Sequence, residues 1–373
     1  MSVDKKILSI CIPVYNQVDL VMNCLSKIVQ SSSDKFEVII NDDGSTDPIE
    51  YKIKEFNDSR IKYFKNKRNL GHDRNIIQSF KRASSKYVFL LRVRDFLLPE
   101  GIELLVDYLQ SREDIAYLTT SAYDSNMLPK IIYENHIYNK GEEALKAHNN
   151  LYVHPSGSVY NKSLIDLDEL DNFLDYINAT KYNFTVHSLI RMKLALQGAF
   201  VTLKKFTWIY SDTVESEDVA VNSAKKKISV YDTEFEIERY RTEAFWCNKV
   251  LNDSNVKIKE YLKLMEFYLF ASTWNNKLIY NDKRMRSHYN FNKKKIDCKK
   301  ERIKFLKSAK QIEEELNIVG DEEYNKGKKK IIKKNKFLEP FLYFIRLLKI
   351  KIPEKKLIKK VIFTLFPFLR KNK

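Results

Sequence analysis

At 373 residues and 44% hydrophobic, the chain is long enough for one large domain with extensions or for two domains, and too apolar for wholesale disorder. Eight Gly and eight Pro exclude a collagen-like or linker-rich chain; the four cysteines (Cys11, Cys24, Cys247, Cys298) form no C-x-x-C pair, which argues against a disulfide scaffold or zinc site and for a reducing compartment. The net charge of +17 is concentrated at one end, since residues 326–373 hold 17 Lys or Arg against two acids and the rest of the chain is nearly neutral.

From the N-terminus, residues 7–12 (ILSICI) predict a buried strand stopped by Pro13, and 19–30 a helix with Leu20, Cys24, Leu25 and Ile28 on one face. A polar start that runs straight into this strand predicts no signal peptide. Residues 36–40 predict a second strand ending at the turn Asn41-Asp42-Asp43-Gly44-Ser45. Thr46 or Asp47 is placed to cap a short helix reaching about Phe56. A strand at 61–64, a helix at 72–83, a strand at 87–91, a helix opened by Pro99 and ending at 110, and a strand at 115–119 follow. This alternation predicts an α/β domain with a parallel sheet. Between 121 and 215 the pattern blurs, leaving a Pro-Ser-Gly turn at 155–157 and a helix at 186–197. Residues 216–318 read as mainly helical, 321–336 as a charged mobile linker, and the remainder as interleaved apolar and basic residues. The expected organisation is an α/β domain over 1–215, a helical region over 216–325 and a basic amphipathic tail over 326–373.

In an open parallel sheet, ligands bind beyond the carboxyl ends of the strands. Polar clusters fall at three successive ends: Pro13-Val14-Tyr15-Asn16, Asp42-Asp43-Gly44-Ser45, and residues 69–75. Tyr15 can cover a base, an Asp can accept the imide N–H of uracil, and Arg74 can pair with a diphosphate. The absence of Gly-x-Gly-x-x-Gly after the first strand argues against a dinucleotide-binding domain. Asp-Gly-Ser-Thr-Asp alone is equally good turn and capping chemistry. Its recurrence with the other two clusters favours a nucleotide site.

The series ILSICIPVYNQ, VIINDDGSTD, NLGHDRN and YVFLLRVRDFLLPEG resembles the family 2 glycosyltransferases of the GT-A fold, over about residues 5–215 and most closely to about 120. The resemblance implies a Rossmann-like nucleotide-sugar-binding domain followed by a mainly helical C-terminal region. It implies inverting transfer from a nucleotide sugar, with Pro13, Val14, Tyr15 and Asp43 around a base that is typically uracil. Asn69 and Arg74 fall in the phosphate-side motif. The segment HPSGSVYNKSLI resembles the acceptor-side motif and places Ser156 and Gly157, with Asp95, beside the donor sugar. Two departures stand out. Where the family has Asp-Ser-Asp-Asp, whose first and third members hold ribose and a divalent metal, this chain has Arg92-Val93-Arg94-Asp95. A hard cation needs oxygen ligands, so no metal cofactor is expected. Either Arg92 and Arg94 neutralise the diphosphate in its place, or the site does not work, or the arginines face solvent. The stretch that should carry an acidic general base (179–188) has no acid, which leaves His187 and, upstream, Asp175 as candidates.

Residues 337–373 alternate Phe, Leu and Ile with Lys and Arg, and Pro340, Pro353 and Pro367 divide them into segments too short to cross a bilayer. Basic amphipathic segments at 341–349 and 357–368 are expected to lie on an anionic membrane, or else to dock on the body or a partner. Their apolar content disfavours nucleic acid. The expected function is transfer of a sugar from a UDP-sugar to a membrane-associated glycan or lipid-linked acceptor in surface-polysaccharide synthesis, on the cytoplasmic face of the cell membrane. The alternative is an inactive member of the fold that binds a nucleotide sugar or serves a partner enzyme.

Overall fold

A computed structural model describes residues 6–151, 153–179, 185–211, 233–275 and 297–351. The chain forms two compact units, one of residues 1–229 with 241–252 and one of 230–240 with 253–373.

The first unit begins with four strands in parallel alignment: Leu8–Val14 (β1), Phe36–Asp42 (β2), Ile61–Lys65 (β3) and Tyr87–Leu90 (β4). Helices Val18–Ile28 (α1), Ile49–Ile53 (α2) and His72–Arg82 (α3) connect them. β1, β2 and β4 are buried on both faces, so they read as continuous apolar runs rather than as alternating patterns. The short strand Phe96–Leu97 (β5) leads into Pro99–Gln110 (α4), which opens on its proline as expected. Ile115–Asp124 (β6), Pro129–Ile131 (β7), His136–Tyr138 (β8), Glu142–Asn150 (α5), Ser158–Asn161 (β9), Leu167–Tyr176 (α6), Val186–Ala195 (α7) and Ala199–Tyr210 (β10) complete the unit.

The sheet runs β3-β2-β1-β4-β9-β6-β10-β5, with β7 beside β6 and β8 beside β10. β1 to β4 are parallel, as predicted; beyond them the sheet is mixed, with β9 entering antiparallel between β4 and β6. Four residues are too few for a strand to announce itself by periodicity. The entry to β9 depends on Gly157, whose φ is +84° and whose added Cβ would fall 2.1 Å from Trp208 Nε1. α4 lies close on β10, since a Cβ on Gly101 would meet the Thr207 carbonyl oxygen at 2.4 Å.

Helix Thr233–Val250 (α8) contributes residues to both units. The second unit holds Ser254–Phe270 (α9), a π-helical turn at Ala271–Asn275, Cys298–Glu315 (α10) and Glu322–Lys351 (α11). Its core is aromatic: Tyr240, Tyr261, Tyr268, Phe305 and Tyr324 are buried, with Tyr240 and Phe305 5.5 Å apart. Where composition predicts a charged linker at 321–336, the structure has the first turns of α11. Tyr324, Lys328, Ile331 and Asn335 share its inner face at helical spacing, and Tyr324 and Lys328 both donate to Glu313. The lysines between them hide that spacing. Pro340 lies within the helix, and the expected segment at 341–349 is part of it. The segment expected at 357–368 lies outside the described residues. Among the described residues no helix is long and apolar enough to cross a membrane.

Candidate functional site

The carboxyl ends of β1, β2 and β3 are joined by hydrogen bonds into one cradle. Asn16 and Gln17, just past β1, both take positive φ, which turns the chain toward the loop after β2. Asn16 N–H donates to Ser45 Oγ (2.6 Å), Thr46 N–H donates to Asn16 Oδ1 (3.0 Å), and Asp43 N–H donates to the Val14 carbonyl (2.8 Å). Asp47 accepts Val18 N–H at the start of α1, so it closes that helix from across the loop. Asp43 sits at the centre and is 2% exposed. Its carboxylate accepts Asn66 Nδ2 (2.9 Å), Leu70 N–H (2.8 Å) and Gly71 N–H (2.9 Å). The aspartate expected at the base therefore also ties the 69–71 loop to β2. Gly44, with φ +78°, lets Arg68 and the Asn69 backbone N–H pass within 3.0–3.3 Å of where a Cβ would stand. Pro13, Val14, Tyr15, Asp43 and Asn69 are brought together here.

A second cluster forms after β4. Asp95 is fully buried and accepts four donors: Arg92 Nε (2.9 Å), Arg92 Nη2 (3.1 Å), Ser156 Oγ (2.6 Å) and Ser211 N–H (3.0 Å). Ser156 Oγ in turn accepts Arg92 N–H (2.9 Å), so the β4 end and the turn before β9 share one network. The Arg92 guanidinium carbon and Lys130 Nζ stand 5.6 and 5.4 Å from the Tyr210 ring centre. Arg94 is half-buried; burial and the neighbouring Arg92 charge push its pKa down to about 10. His154 stacks on Trp208 with centroids 5.2 Å apart, and its Nδ1 is 3.8 Å from Asp95 Oδ2. Burial, then the Arg92 charge, lower its pKa to about 3, so the imidazole is neutral at physiological pH. Arg92, Arg94, Asp95, Ser156 and Gly157 are thus one constellation.

Of the remaining predicted residues, Arg74 lies on α3, Asp175 on α6 and His187 on α7. Arg74 donates to Asp171 (2.7 Å) and Asp175 (2.6 Å), which fastens α3 to α6 and pairs the residue expected at the phosphates with one of the two candidate bases. Beside it, Asp73 is 3% exposed and accepts Thr185 N–H (2.9 Å) and Val186 N–H (3.2 Å), capping α7 from another helix. Burial opposes its ionisation, but the His72 ring at 2.8 Å and these N–H groups outweigh that and hold the carboxyl below its ordinary range. His187, in the first turn of α7, adds to this effect through its own charge.

Asp73, His154, Lys130 and Tyr210 were not singled out in the sequence, although His154 opens the quoted acceptor-side segment. Cys11 and Cys24 are buried, and burial pushes both thiols far up, consistent with inert core residues. Among the described residues no three His, Cys, Asp or Glu side chains are grouped to hold a metal ion. A cavity of about 1000 Å³ opens between α4, β8 and β10, lined by Leu104, Tyr108, Ile137, Val201 and Leu203 among others. No predicted site residue lines it, and we place the chemistry at the strand ends, where the polar and charged groups converge.

Residues 9–167 match the model of glycosyl transferase family 2. An uncharacterised glycosyltransferase of Rickettsia bellii is 29% identical over 141 residues, 33% of this chain and 20% of the relative. The Escherichia coli UDP-Glc:alpha-D-GlcNAc-diphosphoundecaprenol beta-1,3-glucosyltransferase WfgD is 26% identical over 106 residues, 28% of this chain and 42% of the relative. The chain thus spans a fifth of the length of the first relative and less than half of the second. The crystal structure of S. aureus TarS 1–349 in complex with UDP-GlcNAc superposes with a TM-score of 0.52 at 14% identity, over 83% of this chain and 90% of that one, a likeness of fold.

Proposed function

We propose, on the premise that the N-terminal unit is a family 2 glycosyltransferase domain of GT-A fold, that the protein transfers a sugar from a UDP-sugar to a membrane-associated glycan or lipid-linked acceptor. The observation that carries the reading is the cradle around Asp43, in which three strand-end loops are bonded into one preformed surface, with half-buried Tyr15 directly after β1. A preformed polar recess at the ends of parallel strands is what a nucleoside needs. The S. aureus structure carries UDP-GlcNAc on the same fold, and the E. coli relative is named for UDP-Glc and a diphosphoundecaprenol acceptor.

The reaction is an inverting displacement. The acceptor hydroxyl oxygen attacks the anomeric carbon, the bond from that carbon to the diphosphate oxygen breaks, UDP leaves, and a base takes the hydroxyl proton. His187, in the first turn of α7, is our first candidate for that base, because residues 179–188 offer no acid. Asp175 is the second, and it must first part from Arg74. That ion pair favours the competing reading, binding without transfer. A melting-temperature screen with UDP-sugars and GDP-sugars, followed by assay of UDP release, separates the possibilities. Stabilisation and UDP release support the transferase. Stabilisation without release under any acceptor supports a binding protein, and indifference to every nucleotide sugar removes both readings.

The C-terminal end places the enzyme on the membrane in this account. Lys326, Lys329, Lys330, Lys333 and Lys336 are exposed along α11, and the sequence beyond continues basic and apolar to Lys373. Each basic residue near an anionic surface contributes about 1 kcal/mol. Removing residues 352–373 should sharply weaken sedimentation with anionic vesicles while the nucleotide-induced melting shift persists. Equal sedimentation of both forms would place the membrane contact elsewhere. A cut at 325 is a poorer test, since it removes buried Asn335 and Lys328, the partner of Glu313.

A further inference from the structure

The first turn of α3 sends three consecutive side chains to three different elements. Successive helical positions point about 100° apart, so one turn can serve several neighbours. Asn75 donates to the Val14 carbonyl at the end of β1 (3.3 Å) and accepts the Asn41 and Asn66 amides. Arg74 reaches Asp171 and Asp175 on α6, and Asp73 reaches the start of α7. Gly71, just ahead of this turn, donates its N–H to Asp43 (2.9 Å). One turn of helix thus connects the Asp43 cradle with α7. Thr185 stands where α7 begins and could cap that helix with its own hydroxyl, the ordinary device, yet it makes no such bond. Its N–H (2.9 Å) and hydroxyl (3.3 Å), with Val186 N–H (3.2 Å), all donate to Asp73 Oδ2, from 112 positions earlier in the chain. Burying a carboxylate is costly, and a local threonine cap would avoid it; what the long-range bond adds is a fixed place for α7 against α3. His187 is the second residue of that helix.

Resting on the transferase reading above, in which His187 takes the acceptor proton, we infer that Asp73 is a positioning residue for the reaction. From the first turn of α3 it fixes the first turn of α7, and with it His187, relative to the nucleotide cradle. It acts through the helix it caps rather than on a substrate. A base must stand within hydrogen-bond reach of the hydroxyl it deprotonates, and a misplacement of about 1 Å can cost on the order of 100-fold in rate. Loss of Asp73 releases the N–H groups of Thr185 and Val186 but leaves the donor side bonded, because the Gly71–Asp43 and Asn75–Val14 contacts do not pass through it.

A double-mutant cycle on the full chain tests the inference, with the parent, Asp73→Ala, His187→Ala and the pair. UDP release is followed from the UDP-sugar that gives the largest melting shift, with a lipid-linked glycan or water as acceptor, beside UDP calorimetry and amide exchange over 185–188. Asp73→Ala is expected to lower kcat roughly 10- to 100-fold, to leave donor KM and UDP affinity unchanged, and to speed exchange of the Thr185 and Val186 amides. Added to His187→Ala it should cost nothing further, since residues that act as a unit are not additive. Asp73→Asn keeps one acceptor oxygen for α7 and should recover part of the loss; it takes the place of Asp73→Ala in the cycle if the alanine variant does not fold. An equal fractional loss in the His187→Ala background, a raised donor KM with kcat intact, or a His187→Ala variant as active as the parent overturns the positioning role and leaves the transferase reading standing. A parent that binds UDP but releases none from any UDP-sugar overturns both.

Discussion

Two buried aspartates, Asp43 and Asp95, lie past the ends of β2 and β4, the strands that flank β1 in one sheet, and are used in different ways. Asp43 is bonded to neutral donors, two backbone N–H groups and the Asn66 amide, so its charge spreads over loop backbone and shapes a recess. Asp95 is bonded mainly to the Arg92 guanidinium, and through Ser156 and Ser211 it ties the β4 end to the turn before β9 and to the residue after β10. One carboxylate builds a loop surface of the kind that suits a nucleoside; the other anchors an ion pair at the end of β4.

Removing the second aspartate should cost the most. Asp95→Ala leaves Arg92 without its carboxylate and removes the acceptor shared by Ser156 and Ser211, and we expect a loss of about 3 kcal/mol, in the range for breaking a buried pair. Urea denaturation of parent and variant measures this; a change below about 1 kcal/mol would mean that the β4 network is not held by charge. Asp43→Ala should cost roughly 1–3 kcal/mol, since buried N–H groups lose a neutral-donor network rather than an ion pair, and should weaken UDP as well. Unchanged UDP affinity in the folded variant would remove Asp43 from the base contact. A smaller effect belongs to His154. Its folded pKa of about 3 lies below the ordinary value near 6.5, so the unfolded chain takes up a proton that the folded chain refuses. Stability from this group is complete above about pH 6.5 and falls as pH is lowered toward 3, by about 1 kcal/mol at pH 5.5. His154→Phe keeps a ring against Trp208 and should flatten the acid side of the stability profile. Profiles of parent and variant that stay parallel from pH 7.5 to 5 would contradict the assignment.

The half of the sheet that carries the Asp43 cradle was legible in the sequence because β1 and β2 are doubly buried. Continuous runs such as ILSICI and FEVII end in polar turns, and those turns are the cradle. The other half was not. β9 has four residues, and β10 breaks its alternation at exposed Lys204 and Lys205, where its register against β6 shifts. The Asp95 cluster draws Ser156, Ser211 and Tyr210 from these two unread strands and their flanks, so no local pattern could assemble it. Asp73 was hidden for the same reason: its partner Thr185 is 112 positions away. In α11 the inner face at Tyr324, Lys328 and Asn335 was obscured by the lysines around it, and composition alone made a helix look like a linker.

A crystal structure of the full chain with UDP, grown once in EDTA and once with Mn²⁺, tests the central claim most directly. The account predicts the same pose in both: uracil against Tyr15 and the Asp43 cradle, and no metal density between the phosphates and Asp95. UDP bound away from the ends of β1, β2 and β4, or a metal ion bridging its phosphates to Asp95, would contradict it.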